Sequence, residues 1–287
     1  MGKVAIVTDS LACVPKDQAD KLGILIVPSS VTIGDRVYHD GMDITPSEVY
    51  DLQRRSKILP TTSAASPGEF LNTYSIAAQR ADSILHVCIT PNLTMTYEAA
   101  MRAKEMAQET LPNTQIEILD TGTAAGAQGF LAMIASQAAA AGGDMSETID
   151  TVRKMIPLVH LYVTVDTLYF LAKGGRVPKV TAWASSILSI KPILQISNGQ
   201  ATPVERVRTK PRAMNRLLQI MKKKVGRKPV HVNLMHAGVP DEAVEFKNRI
   251  KAQFDCAELY ITEFSPVMGA HTGPGLIGFA FYSDEQP

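Results

Sequence analysis

Apolar and polar positions along the chain switch repeatedly between a two-residue and a 3.6-residue period. The runs "KVAIVTD" (3–9), "GILIVPSSVTI" (23–33), "SILHVCIT" (83–90) and "QIEILDT" (115–121) predict strands. Gly34-Asp35 predicts a turn into "RVYHDG". The helical stretches between them have definite starts. Thr45, Pro46 and Glu48 open "ITPSEVYDLQRRS", and Ser66, Pro67 and Glu69 open "ASPGEFLNTYSIAAQRA", each a capping box with proline in its first turn. A third helix is predicted over 96–111. Strands and helices in alternation argue for a mostly parallel sheet with helices on both faces.

A helix over "DMSETIDTVRKMI" leads without a loose linker into a second half of different pattern. The strand "LVHLYVTV" (158–165) precedes a helix "DTLYFLAKGG" ended by Gly174-Gly175. Asn198-Gly199, between two alternating runs, is a hairpin signal and implies a mixed sheet. A helix from Pro211, a strand "KPVHVNLM", a helix near 240–253, a strand "AELYITEF" and a final strand from Leu276 to Tyr282 follow. Trp183, Ile187 and Leu188 read as core or interdomain positions. The chain therefore reads as α/β with two domains. Residues 1–155 form an N-terminal α/β/α domain with a mostly parallel sheet, and residues 156–287 a C-terminal α/β domain with a mixed sheet.

The stretch 124–143, "AAGAQGFLAMIASQAAAAGG", is apolar on all sides but Ala-rich and interrupted by Gln128, Ser136 and Gln137. It reads as a buried helix packed between layers or walling a cavity, not as a membrane span. Composition agrees with a globular chain: 45% hydrophobic and 20% charged residues over 287 positions. A net charge of +1 gives no global field for nucleic acid or an acidic membrane surface. The 3 cysteines fit neither a disulfide framework nor a CxxC metal site, which suits a reducing, cytoplasmic setting, and "MGKVAIVTDS" is no signal peptide.

In open α/β sheets ligands bind beyond the carboxyl ends of strands. Polar residues gather at such places: Asp9-Ser10, Thr61-Thr62-Ser63, Thr90 to Thr96, and Asp120-Thr121. Near the end of the chain, "GAHTGPGLIGF" puts His271 and Thr272 on a glycine-rich loop entering the last strand. Each feature has a plainer reading: turn chemistry for Thr62 and Ser63, an N-cap for Thr94, a solvated helix end for Arg176 in "AKGGR". No G-x-S-x-G elbow, dinucleotide fingerprint, Walker loop or metal-ligand spacing occurs. A set of hydroxyls and one histidine suits holding a carboxylate better than breaking a bond.

"VTDS", "PTTSAASPGEF", "NLTMTY", "ILDT", "FLAKGGRV", "KPIL" with its hairpin, and "HTGPGLIGF" occur in the order seen in the DegV family, which the chain resembles from end to end. The resemblance implies a two-domain α/β protein that binds a long-chain fatty acid and presents its carboxylate to a partner fatty acid kinase. The acyl phosphate so formed feeds phospholipid synthesis, and the kinase, not this chain, binds ATP. By this resemblance Thr62 and His271 hold the carboxylate, Thr94 keeps a hydroxyl where the family has serine, and Met95 replaces a glycine. Arg176 falls near the head group or the kinase face. Ser63, Thr96, Asp120, Thr272 and Gly273 complete the expected ligand-binding set. No catalytic residue, metal or cofactor is expected, nor nucleic acid or a membrane span. The rival readings are a stand-alone acyl or phosphoryl transferase, with His271 as base and Asp9 or Asp120 as orienter, and a lipid carrier or sensor without a kinase.

Overall fold

The computed structural model describes residues 3–55, 59–177 and 190–284, so Trp183, Ile187 and Leu188 lie outside the described residues. The first half runs β1 (Val4–Asp9), a 3-10 turn (Ser10–Ala12), α1 (Lys16–Leu22), β2 (Leu25–Val27), β3 (Ser30–Ile33), β4 (Arg36–His39) and α2 (Pro46–Arg55). It continues through β5 (Thr61–Ser63), α3 (Pro67–Ala78), β6 (Ser83–Cys88), α4 (Thr96–Thr110), β7 (Gln115–Asp120), α5 (Ala125–Ala140) and α6 (Met145–Met155). The second half runs β8 (His160–Thr164), α7 (Tyr169–Gly174), β9 (Lys191–Ser197), β10 (Gln200–Val207) and α8 (Lys210–Val225). It ends with β11 (Val230–His236), α9 (Pro240–Lys251), β12 (Cys256–Glu263), α10 (Pro266–Thr272) and β13 (Ile277–Tyr282).

The described strands form three sheets. The first, ordered β2-β1-β6-β7, is parallel throughout. The second, β10-β9-β8-β13-β11-β12, is mixed, with only β11 and β12 parallel. The third, β4-β3-β5, is a small antiparallel sheet. The expected strand over 23–33 is two strands in different sheets. Pro28 offers no N–H to a ladder, and the Ser29 N–H is taken by Ser10 Oγ at 3.1 Å, so pairing stops there.

Helix α5 lies between the two large sheets. Phe130, Leu131 and Met133 share one apolar cluster with Ile6, Leu85 and Val87 of the parallel sheet and with Leu161, Val163 and Ala280 of the mixed one. That cluster runs continuously across position 155. Helices α3 and α4 cover the outer face of the parallel sheet, where Phe70 and Tyr74 meet Val7 and Ile84. Helices α8 and α9 cover the outer face of the mixed sheet, where Leu217 and Phe246 meet Val232 and Phe279. Along β8, Leu161 and Val163 face α5 while Tyr162 faces the outer helices, the two-residue period of a strand buried on both sides. The order is therefore α/β/α/β/α.

The polar residues that interrupt α5 tie it to its neighbours. Gln128 Nε2 donates to Asp9 Oδ2 at 2.8 Å and to Thr8 Oγ1 at 3.2 Å, and Ser136 Oγ donates to the Leu22 carbonyl at 2.7 Å. Gly129 is needed for the approach, because a Cβ there would lie 2.6 Å from the Ala12 carbonyl oxygen. No described helix is long and apolar enough to cross a membrane.

The Asn198-Gly199 hairpin forms as its sequence requires, both residues having positive φ, 50° and 72°. Its tip docks on the parallel-sheet side, the Gly199 N–H donating to the Gly122 carbonyl at 2.8 Å. A Cβ on Gly199 would lie 2.6 Å from Asn92 Nδ2 and 3.0 Å from Thr90 Oγ1. Gly199→Ala is expected to cost about 1–3 kcal/mol through strain and overlap, read as a lower urea midpoint at unchanged m-value. An unchanged midpoint would mean that the tip is not held against that loop.

Candidate functional site

The site is built where α7 and α10 interlock. Ser265 caps α10, its Oγ accepting from the Met268 N–H at 3.4 Å, and Pro266 occupies the first turn. His271 and Thr272 thus belong to the last turn of a short helix, not to the loop expected from their glycines. Thr272 Oγ1 donates back to the Met268 carbonyl at 3.1 Å. Against this turn packs the end of α7, which begins at Tyr169, later than expected, because Thr167 Oγ1 accepts from the Tyr169 N–H at 3.1 Å. At Gly174 a Cβ would lie 2.7 Å from His271 Nδ1, so only glycine lets the imidazole in. Gly175, at φ 69°, then ends the helix. Gly273 serves the same packing from the other side: a Cβ there would overlap the edge of the Phe170 ring.

Strand β5, too short to show a period in the sequence, pairs with β3 and carries Thr62 to the imidazole. Thr62 Oγ1 and His271 Nε2 are 2.7 Å apart, a hydrogen bond between residues 209 positions apart in the chain. Burial, with the Arg176 guanidinium nearby, pushes the His271 pKa down to about 4, so the ring is neutral near pH 7. The Arg176 head is exposed, and its Nη1 donates to the Gly174 carbonyl at 2.6 Å.

Thr62 and His271 border a cavity of about 480 Å³. Its wall is mainly apolar: Leu161, Val163, Leu194 and Ile196 from the mixed sheet, and Leu11, Ile89 and Ala124 from the parallel-sheet side. Ser63, Thr94, Met95, Arg176 and Thr272 also line it, with Ser63, Met95 and Arg176 exposed and therefore at its rim. Met95, 64% exposed, does not plug the interior. Thr94 is not an N-cap; its Oγ1 pairs with Thr96 Oγ1 at 3.0 Å, and Thr96 is wholly buried at the start of α4.

Three expected site residues lie outside this wall. Thr96 stands behind Thr94, Gly273 stands behind His271, and Asp120 is exposed with its Oδ1 accepting from the Gly122 N–H at 2.7 Å. Ser29, not among the expected site residues, lines the cavity with a buried Oγ that has no hydrogen-bond partner among the described residues. Its only sequence signal is its place after the strand-breaking Pro28. Neither suggested orienter hydrogen-bonds His271: Asp9 accepts from the Leu11 and Ile89 N–H groups and from Gln128. A second cavity, about 580 Å³, contains Asp40 and Glu263 and is hostile to an anion.

An apolar, partly open cavity with a few convergent hydrogen-bonding groups at its rim is the architecture of a small-molecule binding protein. The family model described as "Uncharacterised protein, DegV family" matches residues 3–284, and the chain belongs to the DegV family. A DegV domain-containing protein of Streptomyces coelicolor is 37% identical over 278 residues, covering 96% of both chains. The structure of a DegV family protein from Thermus thermophilus, described by its fatty acid binding, superposes with a TM-score of 0.90 at 28% identity, covering 98% of this chain and 99% of that one. A stearic acid-binding protein from Eubacterium ventriosum superposes with a TM-score of 0.90 at 25% identity over 98% of each.

The depressed basicity of His271 has a signed consequence. The unfolded chain takes up this proton near 6.5 and the folded chain near 4, so the stabilisation is complete above the first value and lost as pH falls towards the second. Asp9 and Asp40, pushed up to about 6 by burial, act in the opposite sense, so only a difference isolates the histidine. Wild type is expected to lose stability relative to His271→Gln as urea unfolding is repeated from pH 6.5 down towards 4. A pH-independent difference would place the imidazole in water.

Proposed function

We infer that this protein binds a long-chain fatty acid with its hydrocarbon tail in the apolar cavity and its carboxylate on Thr62 and His271. The observation that carries this reading is the 2.7 Å Thr62–His271 pair bordering a mainly apolar cavity. Each buried methylene contributes ~0.8 kcal/mol, so about fifteen of them give a gross ~12 kcal/mol before ordering costs are subtracted. Affinity therefore belongs to the tail. The polar set fixes orientation: in exchange for the hydrogen bond between them, the Thr62 hydroxyl and the Nε2–H of a neutral His271 each donate to the carboxylate. Thr94 and the unpaired Ser29 hydroxyl add donors on the same wall.

The reading extends to presentation of the carboxylate to a partner fatty acid kinase in the cytoplasm, with acyl-phosphate chemistry on the partner. Its support is the exposure of Ser63, Met95 and Arg176 at the rim, which leaves the head-group end facing solvent, together with the family resemblance. The three free cysteines suit a reducing compartment. The transferase alternative gains nothing from the geometry, because His271 has Thr62, not a carboxylate, as its hydrogen-bond partner.

Native mass spectrometry followed by denaturing extraction tests the ligand class. A stoichiometric fatty acid is expected, and a protein that is empty and refuses added fatty acid would contradict the reading. Loss of one charge-assisted bond in Thr62→Ala or His271→Ala is expected to weaken binding about tenfold or more. With a fatty acid kinase and ATP, His271→Ala should lower acyl-phosphate formation, trapped with hydroxylamine, more than it lowers acyl retention. Equal losses would remove the orienting role.

A further inference from the structure

Three side chains of metal-binding type meet behind the cavity wall, in a place the fatty-acid reading does not use. The parallel pairing of β1 and β6 sets Thr8 opposite Val87, which brings Asp9 beside Cys88, with His86 two residues earlier on the same strand. Their donor atoms all lie within 4.8 Å of one another, and His86 Nε2 is 4.0 Å from Asp9 Oδ2. Burial is complete: His86 and Cys88 are 0% exposed and Asp9 is 1% exposed. His86 Nε2 has no hydrogen-bond partner among the described residues. A buried ring nitrogen left unpaired is costly and calls for an explanation.

The surroundings are those of a metal site. A ligating histidine characteristically hydrogen-bonds through its other nitrogen, and a ligating carboxylate is itself held by donors. Here His86 Nδ1 is 2.9 Å from Tyr74 Oη, and Asp9 Oδ2 accepts from Gln128 Nε2 at 2.8 Å and from the Ile89 N–H at 3.2 Å. We propose that Asp9, His86 and Cys88 bind one divalent ion of zinc's type. A thiolate and an imidazole select such a borderline ion over magnesium or calcium, which take oxygen ligands.

Tetrahedral coordination with bonds of ~2.0–2.1 Å places nitrogen and oxygen ligands roughly 3.4 Å apart, so His86 and Asp9 need close by only about half an ångström. Binding at Nε2 puts the ring hydrogen on Nδ1, where it is donated to Tyr74 Oη. The Cys88 thiol gives up its proton to solvent as the sulfur–metal bond forms, one proton released per ion bound, and water takes the fourth position. The ion would join the carboxyl end of β1 to that of β6. Leu11 and Ile89, whose N–H groups Asp9 holds, both line the cavity, so the site would stiffen the cavity wall without touching a ligand.

The test uses full-length, tag-free protein expressed in zinc-supplemented medium, dialysed, and analysed by mass-spectrometric metal quantification. About one zinc per chain is expected in the wild type and in Cys256→Ser, and less than about a tenth of that in Cys88→Ser, a near-isosteric change that spares the fold. Cobalt-grown wild type should show a thiolate-to-cobalt charge-transfer band and tetrahedral d–d bands, both absent from Cys88→Ser. Added zinc should raise the melting temperature of demetallated wild type only. Wild type that carries no zinc, even after refolding with it, overturns the proposal, and so does zinc retained undiminished by Cys88→Ser. Fatty-acid content has no bearing on any of these readouts.

Discussion

A helix buried on all sides over its first three turns needs an apolar layer on each side there, and α5 imposes that requirement on the whole chain. Eleven of its residues, from Ala125 to Ser136, are buried. Phe130 alone, at 1% exposure, is worth about 1.5–3 kcal/mol of burial. The parallel sheet supplies one layer and the mixed sheet the other, and Gln128 pins the helix to the ends of β1 and β6. The cavity adjoins the start of this helix, where Ala124 forms part of its wall beside residues from both sides. The binding space is thus a product of the same packing that hides α5, lined by side chains the two sheets would otherwise turn towards a helix.

What the cavity accepts is decided by a second, local constraint. The imidazole of His271 reaches Thr62 only because Gly174 has no side chain, and burial then keeps it neutral. A neutral donor beside a hydroxyl can receive a carboxylate without first losing strong charge–water interactions of its own. The neighbouring cavity, with Asp40 raised to about 6 by the same kind of burial, has the opposite preference. Two spaces of similar size are therefore separated by chemistry, not by volume.

Elements whose signals are local were legible in the sequence. The Ser66–Glu69 capping box, the Asn198-Gly199 hairpin and the buried character of α5 each depend on residues within a few positions of one another. The α/β alternation followed from them. Two short elements were not legible, since β5 and α10 are too short to establish a period, and Pro28 hid a strand break inside an apolar run. The expected residues that line the cavity were singled out by type and by family resemblance, but their geometry was not legible. Nothing near Thr62 says that its partner is His271, and nothing in "VTDS" or "LHVC" says that Asp9 stands beside His86 and Cys88, because strand register between distant segments has no local signature. Asp120, expected at the site, turned outward because its own backbone turn at Gly122 satisfies it.

The most direct measurement is a crystal structure of the protein with a long-chain fatty acid bound. Carboxylate density is expected within hydrogen-bond distance of Thr62 Oγ1 and His271 Nε2, with the chain running inward along Leu161, Leu194 and Ile196. A fatty acid bound in the reverse sense, or seated in the cavity that holds Asp40 and Glu263, would contradict it.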